Sequence, residues 1–421
     1  MTSQEHRNTE RIVSWMSRNK GVQTPFYLYD EEMMRRQVRR LRRILPVNAE
    51  IFFSMKANPN LHIVRLLARQ GCGVEIASGG ELKTALRAGV LPENIIFAGP
   101  AKRDVELEAA LTGGIRAVNV ESLKELERLS FMSRRLKRHQ KIHLRINPPF
   151  DIQGSGVKMG GGAKKFGIDS EQIGEAKTLL RHSPLLRCEG FHVFAATQID
   201  DEKKALENFS LSIALMKECA KLLDISLSSL DIGSGLGIPY GDSPEKINDE
   251  ALRSGLQSLF EKEGLLSKKV LVESGRFLTG QAGYFVTRVL DKKNSRGVTY
   301  LLCDGGIQNL LRPALIGDHH EICCLGTKAV SEPKEKVTVA GPLCTSLDVL
   351  GENIEMERAE IGDYLCVGQA GAYGYTESMP LFLSHPMPDE YLQDSSGAIR
   401  RIRKGLSYDE ILRSQEETGN E

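Results

Sequence analysis

Phe52-Phe53-Ser54-Met55-Lys56-Ala57-Asn58 reads as an apolar strand that ends in a lysine, and Ala57-Asn58-Pro59-Asn60 turns the chain out of it. A lysine at such a point can have its pKa lowered by burial, which frees the amine for attack on a carbonyl. Taken alone, a strand-end lysine is most often simply solvated. What Lys56 does therefore depends on the rest of the chain.

Working outward, short apolar runs, several rich in β-branched residues, recur near 50–55, 73–78, 94–98, 115–119, 141–147, 188–194, 228–232 and 269–273. The stretches between them, such as Gly80-Glu81-Leu82-Lys83-Thr84-Ala85-Leu86 and Val120-Glu121-Ser122-Leu123-Lys124-Glu125-Leu126, have helical spacing. Eight βα units over roughly 250 residues predict a (β/α)8 TIM barrel. A doubly wound α/β sheet would also alternate, but it does not require eight units. After about residue 280 the texture changes to Tyr284-Phe285-Val286-Thr287-Arg288-Val289-Leu290, Val298-Thr299-Tyr300-Leu301-Leu302, Val337-Thr338-Val339 and Tyr364-Leu365-Cys366-Val367. Such runs without long helices predict a C-terminal antiparallel β domain. The expected division is an N-terminal segment, 1–29, joining the β domain, a barrel over 30–280 and the β domain over 281–421. The last twenty residues are polar and are expected to be loosely held.

A chain of 421 residues has room for two domains. Lysine plus arginine is 56 against 55 for aspartate plus glutamate, so the net charge of +1 provides no field for nucleic acid or an anionic membrane. The eight cysteines include no Cys-x-x-Cys pair, which fits neither a zinc site nor a dense disulfide framework. No metal is expected, and reduced thiols in a cytoplasm are the simplest reading. The first residues lack an apolar signal core, and nowhere does the chain reach the ~20 apolar residues of a membrane span.

In a barrel the active site forms at the C-terminal strand ends, and phosphate commonly sits in the loops after strands seven and eight. The seventh run leads into Asp231-Ile232-Gly233-Ser234-Gly235-Leu236-Gly237, a turn whose amides could cradle a phosphate. The eighth ends in Glu273-Ser274-Gly275-Arg276. A lysine after strand one, an amide cradle after strand seven and an acid after strand eight are the parts needed to hold pyridoxal phosphate.

These motifs resemble the fold-type III pyridoxal-phosphate decarboxylases, the family of diaminopimelate, ornithine and arginine decarboxylases, from about Pro25 to Pro388. The resemblance is carried, in order, by Phe53 to Asn58, Glu75 to Glu81, Arg145 to Pro148, Lys165-Phe166-Gly167, His192 to Gln198, Gly233 to Gly237, Asp304-Gly305-Gly306, Arg312-Pro313, Cys344 to Asp348 and Gly371-Ala372-Tyr373. It implies an alanine-racemase-like barrel, with Lys56 carrying the cofactor covalently and Glu273 holding its ring nitrogen protonated. It also implies cofactor contacts from His192, Phe194, Thr197, Gly235, Gly237, Gly275, Arg276 and Tyr373, and substrate contacts from Arg276, Arg312, Thr345 and Tyr373. Cys344 would supply a proton. In the family Cys344 and Tyr373 reach the partner chain's site, so a homodimer with shared active sites is implied. A racemase on this barrel typically has arginine in place of Glu273, and non-catalytic regulatory relatives tend to lose the lysine or the phosphate loop.

Two departures from the family pattern bear on the substrate. Phe194 stands where the family usually stacks a histidine on the cofactor. Thr345 stands where diaminopimelate and ornithine decarboxylases have the acid that binds the distal amine. Cys344-Thr345, Ala340-Gly341-Pro342-Leu343, Val157-Lys158-Met159-Gly160-Gly161 and Phe382-Leu383-Ser384-His385-Pro386 look like the biosynthetic-cluster branch. That branch includes an L-glutamyl-[acyl-carrier protein] decarboxylase and a siderophore decarboxylase acting on a citryl-diaminopropionate conjugate. The expected substrate is thus a conjugated or carrier-linked amino acid, delivered as a small molecule or on an acyl-carrier protein. Arg312 keeps the diaminopimelate-type arginine, and diaminopimelate decarboxylation stays open as the alternative.

Overall fold

The computed structural model describes residues 3–152, 157–158, 160–317, 319–325 and 334–416. Met159 of the branch-like stretch and the end of the polar tail, 417–421, lie outside the described residues. The chain divides into two compact units, one of Arg35–Ile238 and Glu245–Leu278, the other of Met1–Met34, Pro239–Pro244 and Thr279–Glu421.

In the first unit the eight apolar runs become eight strands: Ala49–Ser54, Gly73–Ile76, Ile95–Phe97, Ala117–Val120, Gln140–Asn147, Leu186–Val193, Ser229–Gly233 and Lys269–Ser274. Each pairs in parallel with the next, and the last pairs with the first, so the sheet closes into a barrel. Register then sorts the side chains. The pairs Glu75 with Ile96, Asn119 with His143, Arg145 with His192, His192 with Asp231 and Glu273 with Gly233 share one side of the sheet. Their burial places that side inside the ring.

The alternate residues, Val74, Val118, Leu144, Val193, Ile232 and Val272 among them, are buried on the outer side, where the helices cover the sheet. Polar interior residues thus sit within strands that otherwise read as continuous apolar runs. Phe52, Ile96, Ala117 and Leu271 form an apolar interior layer. Helices start cleanly after strands two and four, where the Ser78 and Ser122 hydroxyls accept from the amides of Glu81 and Glu125.

Strand six approaches strand seven at Gly190, opposite Ser229. A Cβ on Gly190 would run into the Ser229 carbonyl oxygen. Gly190→Ala is therefore expected to destabilise the protein by about 1–3 kcal/mol, read as a lower denaturant midpoint at unchanged slope.

The second unit is built on a mixed sheet. Phe26–Asp30 lies between Gly283–Ser295, antiparallel to it, and Asp389–Gln393, parallel to it. Val298–Cys303 also pairs in parallel with Lys334–Ala340, and the other pairings of this sheet are antiparallel. Local texture marks a strand but not its direction, which is why the two parallel pairings were not expected. Ile12, Phe26, Leu28, Tyr284, Val286, Cys323, Leu325, Cys366 and Tyr391 form its core. Among the described residues no helix is long and apolar enough to cross a membrane.

Candidate active site

Lys56 lies in a single 3-10 turn, Met55–Ala57, directly after strand one. Its Nζ is 3.2 Å from Glu75 Oε2 and 3.3 Å from Oε1, and 5.6 Å from the centroid of the Phe194 ring. The Lys56 side chain is 41% exposed and that of Glu75 only 1%. Burial is thus not what sets the amine apart, contrary to the expectation from the strand. Because the chain turns before Lys56, the long side chain crosses the open mouth of the barrel and offers its charge to a buried carboxylate, which needs one.

The glycine loop after strand seven packs against the loop after strand six. At Gly233 a Cβ would run into the Phe194 ring, so this glycine lets the ring lie against the backbone. Gly235 has φ +65°, in the left-handed region, and a Cβ there would meet the Ala196 carbonyl oxygen at 2.7 Å. Ser234 N–H donates to the Glu273 carbonyl at 3.0 Å and Gly237 N–H to that of Ile199 at 2.9 Å. These two amides fasten the loop, and among the described residues the amides of Gly235 and Leu236 have no backbone acceptor. Gln198 fixes the far end, donating from Nε2 to the Ile238 carbonyl at 2.8 Å and accepting from its N–H at 3.1 Å. Thr197 sits one residue earlier in a two-residue strand. At Gly275 a Cβ would come within 2.9 Å of the Ala57 Cβ, so that glycine brings the exit of strand eight against the Lys56 turn. Arg276, buried, follows it.

Inside the barrel the polar side chains form two groups. In one, Arg145 Nη1 donates to Glu121 Oε1 at 2.7 Å, and the Gly99 amide donates to the same oxygen at 2.6 Å. The Phe166 ring lies 4.7 Å from the Arg145 guanidinium, and the Gly167 amide donates to Glu121 at 3.4 Å. The Lys165-Phe166-Gly167 turn is thereby tied to the barrel.

The second group is buried more deeply. His143 Nδ1 lies 3.0 Å from Asn119 Oδ1, and Asn119 Nδ2 donates to Asp231 Oδ2 at 2.7 Å. Asp231 and Glu273 offer carboxyl oxygens within 4.8 Å of one another and of a His192 ring nitrogen, and His192 Nε2 is 3.3 Å from Glu273 Oε2. Burial drives the His192 pKa well below its ordinary value, and it pushes His143 down to about 3. Both rings are therefore neutral near pH 7, and neither contact is an ion pair. Burial raises the carboxyls. Asp231 is held well above the usual range by burial and then by the Glu273 charge, whereas Glu273 is raised by burial and opposed by Lys56 and Arg145.

In the second unit, Arg312 is buried and Nη1 donates to Glu377 at 2.7 Å, with the guanidinium 5.0 Å from the Tyr373 ring centroid. A carboxylate of the same chain thus already engages the arginine that was expected to grip a substrate carboxylate. Asp348 accepts from the amides of Ile307 at 2.8 Å and Leu343 at 2.7 Å. It thereby anchors the loop that presents Cys344, an exposed free thiol, and Thr345, whose hydroxyl accepts from the Leu347 amide at 3.3 Å.

Lys56, His192, Phe194, Thr197, Gly235, Gly237, Glu273, Gly275 and Arg276 fall in the first unit, and Arg312, Cys344, Thr345 and Tyr373 in the second. The sequence motifs assign no role to Asn119, His143, Glu121 or Asp231, and Glu75 enters them only as the first residue of Glu75 to Glu81. The available signal was a polar residue inside an apolar run at an interior position of the strand. Glu377 carried no such signal, because its partner, Arg312, opens a short helix 65 residues away.

The pyridoxal-binding domain of the pyridoxal-dependent decarboxylases matches residues 31–280. The L-glutamyl-[BtrI acyl-carrier protein] decarboxylase of Niallia circulans is 33% identical over 409 residues, 95% of this chain and 95% of its own. The diaminopimelate decarboxylase of Aquifex aeolicus is 31% identical over 412 residues, 97% of this chain and 96% of its own. The structure of diaminopimelate decarboxylase from Helicobacter pylori complexed with L-lysine matches with a TM-score of 0.87 at 28% identity, covering 96% of this chain and 99% of that one. Pyridoxal phosphate requires an amine, a flat apolar face, phosphate donors and an acid for its ring nitrogen. The residues present fit it: Lys56, the Phe194 ring, the glycine loop whose close packing on Phe194 and Ala196 a Cβ at Gly233 or Gly235 would break, and Glu273, whose buried Oε1 has no hydrogen-bond partner among the described residues.

Proposed function

The chain belongs to the pyridoxal-dependent decarboxylases, and from that premise we propose that it removes the α-carboxylate of an amino acid already joined to a larger group. A glutamyl unit on an acyl-carrier protein and a siderophore-precursor conjugate are the candidate forms. The observation that carries this reading is Thr345. Its hydroxyl cannot balance a distal ammonium, and an ammonium taken from water without a carboxylate costs several kcal/mol. Glu377 on Arg312 supports the same reading, since that guanidinium already has a carboxylate at 2.7 Å. So does the likeness to a carrier-linked glutamate decarboxylase.

When bound, pyridoxal phosphate supplies the sink for the electron pair left as carbon dioxide departs. The residues of the chain hold and orient. Lys56 offers the amine, with Glu75 close enough to take up its charge. Phe194 gives an apolar face without imidazole chemistry. The loop Gly233–Gly237, Gly275 and Arg276 receive the phosphate, and Gly237 contributes close approach because its amide is engaged by Ile199. Glu273 supports positive charge on the ring nitrogen. In this reading two copies share their sites, Cys344 and Tyr373 of one chain completing the other's, and Cys344 gives up the proton that replaces carbon dioxide. The enzyme works in the cytoplasm, where its free cysteines stay reduced.

The test is carbon dioxide release from free diaminopimelate, lysine, ornithine and glutamate against carrier-linked glutamate and citryl-diaminopropionate. A conjugate is expected to exceed each free amino acid by about tenfold or more in kcat/KM, as a site built without the distal-amine acid requires. Free diaminopimelate as the best substrate would overturn the proposal and favour the second reading, diaminopimelate decarboxylation, for which the retained Arg312 and the Aquifex relative speak. Thr345→Asp is expected to raise turnover of free diaminopimelate or ornithine about tenfold, a charged hydrogen bond being worth ~1.5–3 kcal/mol.

A further inference from the structure

The interior group leaves two carboxyl oxygens to be accounted for. Asp231 Oδ1 and Glu273 Oε1 are both buried with no hydrogen-bond partner among the described residues. Two carboxylates this close in a dry interior cannot both be ionised without large repulsion. One proton between them satisfies both.

The surroundings decide which residue carries it. Lys56 and Arg145 act on Glu273 and favour its charge, with Glu121 opposing them. Asp231 receives one hydrogen bond from Asn119 and faces the charges of Glu273 and Glu75, with the Arg116 cation a smaller influence than either. His192 and His143 complete the titratable groups packed here, and both are neutral.

We propose that Asp231 is a positioning residue that stays protonated and donates to Glu273, so that the pair holds one negative charge and Glu273 keeps it on the side of the cofactor. Asn119 fixes the orientation of Asp231: with Nδ2 given to Asp231, its Oδ1 accepts from His143 Nδ1–H. The chain His143, Asn119, Asp231, Glu273 then runs in one donor direction, each member donating to the next. This inference rests on the assignment of Glu273 to the ring nitrogen, but the proton itself can be observed independently.

In the holoenzyme near pH 7, infrared spectroscopy is expected to show a carbonyl stretch of a buried neutral carboxylic acid that shifts on deuteration. Asp231→Asn, which mimics the protonated acid in shape and donor, should lose that band yet keep cofactor absorbance and kcat within about threefold. Asp231→Leu, with no donor, should lose the band, lower kcat on the best substrate of the panel by tenfold or more, and change the pH dependence of the cofactor absorbance. An absent band in the wild type, or a tenfold loss of kcat in a folded Asp231→Asn, overturns the proposal, because Asp231 would then act as an anion. If the band is present but Glu273→Gln leaves cofactor absorbance unchanged, the shared proton stands and the assignment of Glu273 to the ring nitrogen fails.

Discussion

Lys56→Ala is expected to leave a folded protein that no longer carries covalent cofactor and that releases carbon dioxide at least ~10³-fold more slowly, a loss of the order seen when a covalent catalytic group is removed. The structure makes the variant tolerable. Lys56 lies beyond the last strand residue in a single turn, and its side chain is 41% exposed. The change removes little packing, though it leaves Glu75 without this ammonium. Lys56→Arg separates the two contributions: it restores a cation to Glu75 but supplies a guanidinium that stays protonated and cannot take the place of the amine. Both variants are therefore expected to fail at borohydride fixation of the cofactor, while Lys56→Arg recovers stability lost in Lys56→Ala. Mass analysis after borohydride treatment, with carbon dioxide release, decides the matter. A cofactor still fixed in Lys56→Ala would place the attachment on another amine and sink the assignment.

Much of this site could be read in the sequence, and what could not be read shares a physical reason. The barrel was legible because eight apolar runs at βα spacing match the eight strands of a (β/α)8 barrel, and Gly233 to Gly237 and Glu273 lie where strands seven and eight end. The environment of Lys56 was not. A strand ending in lysine suggests burial, but the turn at Met55 carries the side chain over the mouth, and only the register of strands one and two brings it to Glu75. Asn119, His143 and Asp231 come from strands four, five and seven, so their meeting depends on closure of the ring. Each was visible as a polar letter in an apolar run. Which of them touch is a property of shear, which local sequence does not encode. The pairing of Arg312 with Glu377 is less legible still, since 65 residues separate them.

Glu273→Gln is the second large effect. The side chain is almost wholly buried at the end of strand eight, and burial raises its carboxyl while Lys56 and Arg145 pull the other way. Those cations favour its charged form, and in the proposed role an anion facing the ring nitrogen would hold that nitrogen positive as charge develops. Glutamine preserves volume and can accept a hydrogen bond, but it brings no charge. A preorganised charge at a developing one is worth ~10²–10³ in kcat, and Glu273→Gln is expected to lose that much, with KM changed by only a few-fold. Covalent attachment through Lys56 should survive, because Gly275 still brings the strand-eight exit against the Lys56 turn. Loss of turnover with cofactor still fixed by borohydride therefore separates this variant from Lys56→Ala. The pair with Asp231 sharpens the contrast. Asp231→Asn keeps the negative charge on Glu273, and Glu273→Gln removes it, so two isosteric changes on neighbouring strands should differ by at least tenfold in kcat. Equal losses in the two variants would mean that the network matters only for packing, and the electrostatic role of Glu273 would fall with it.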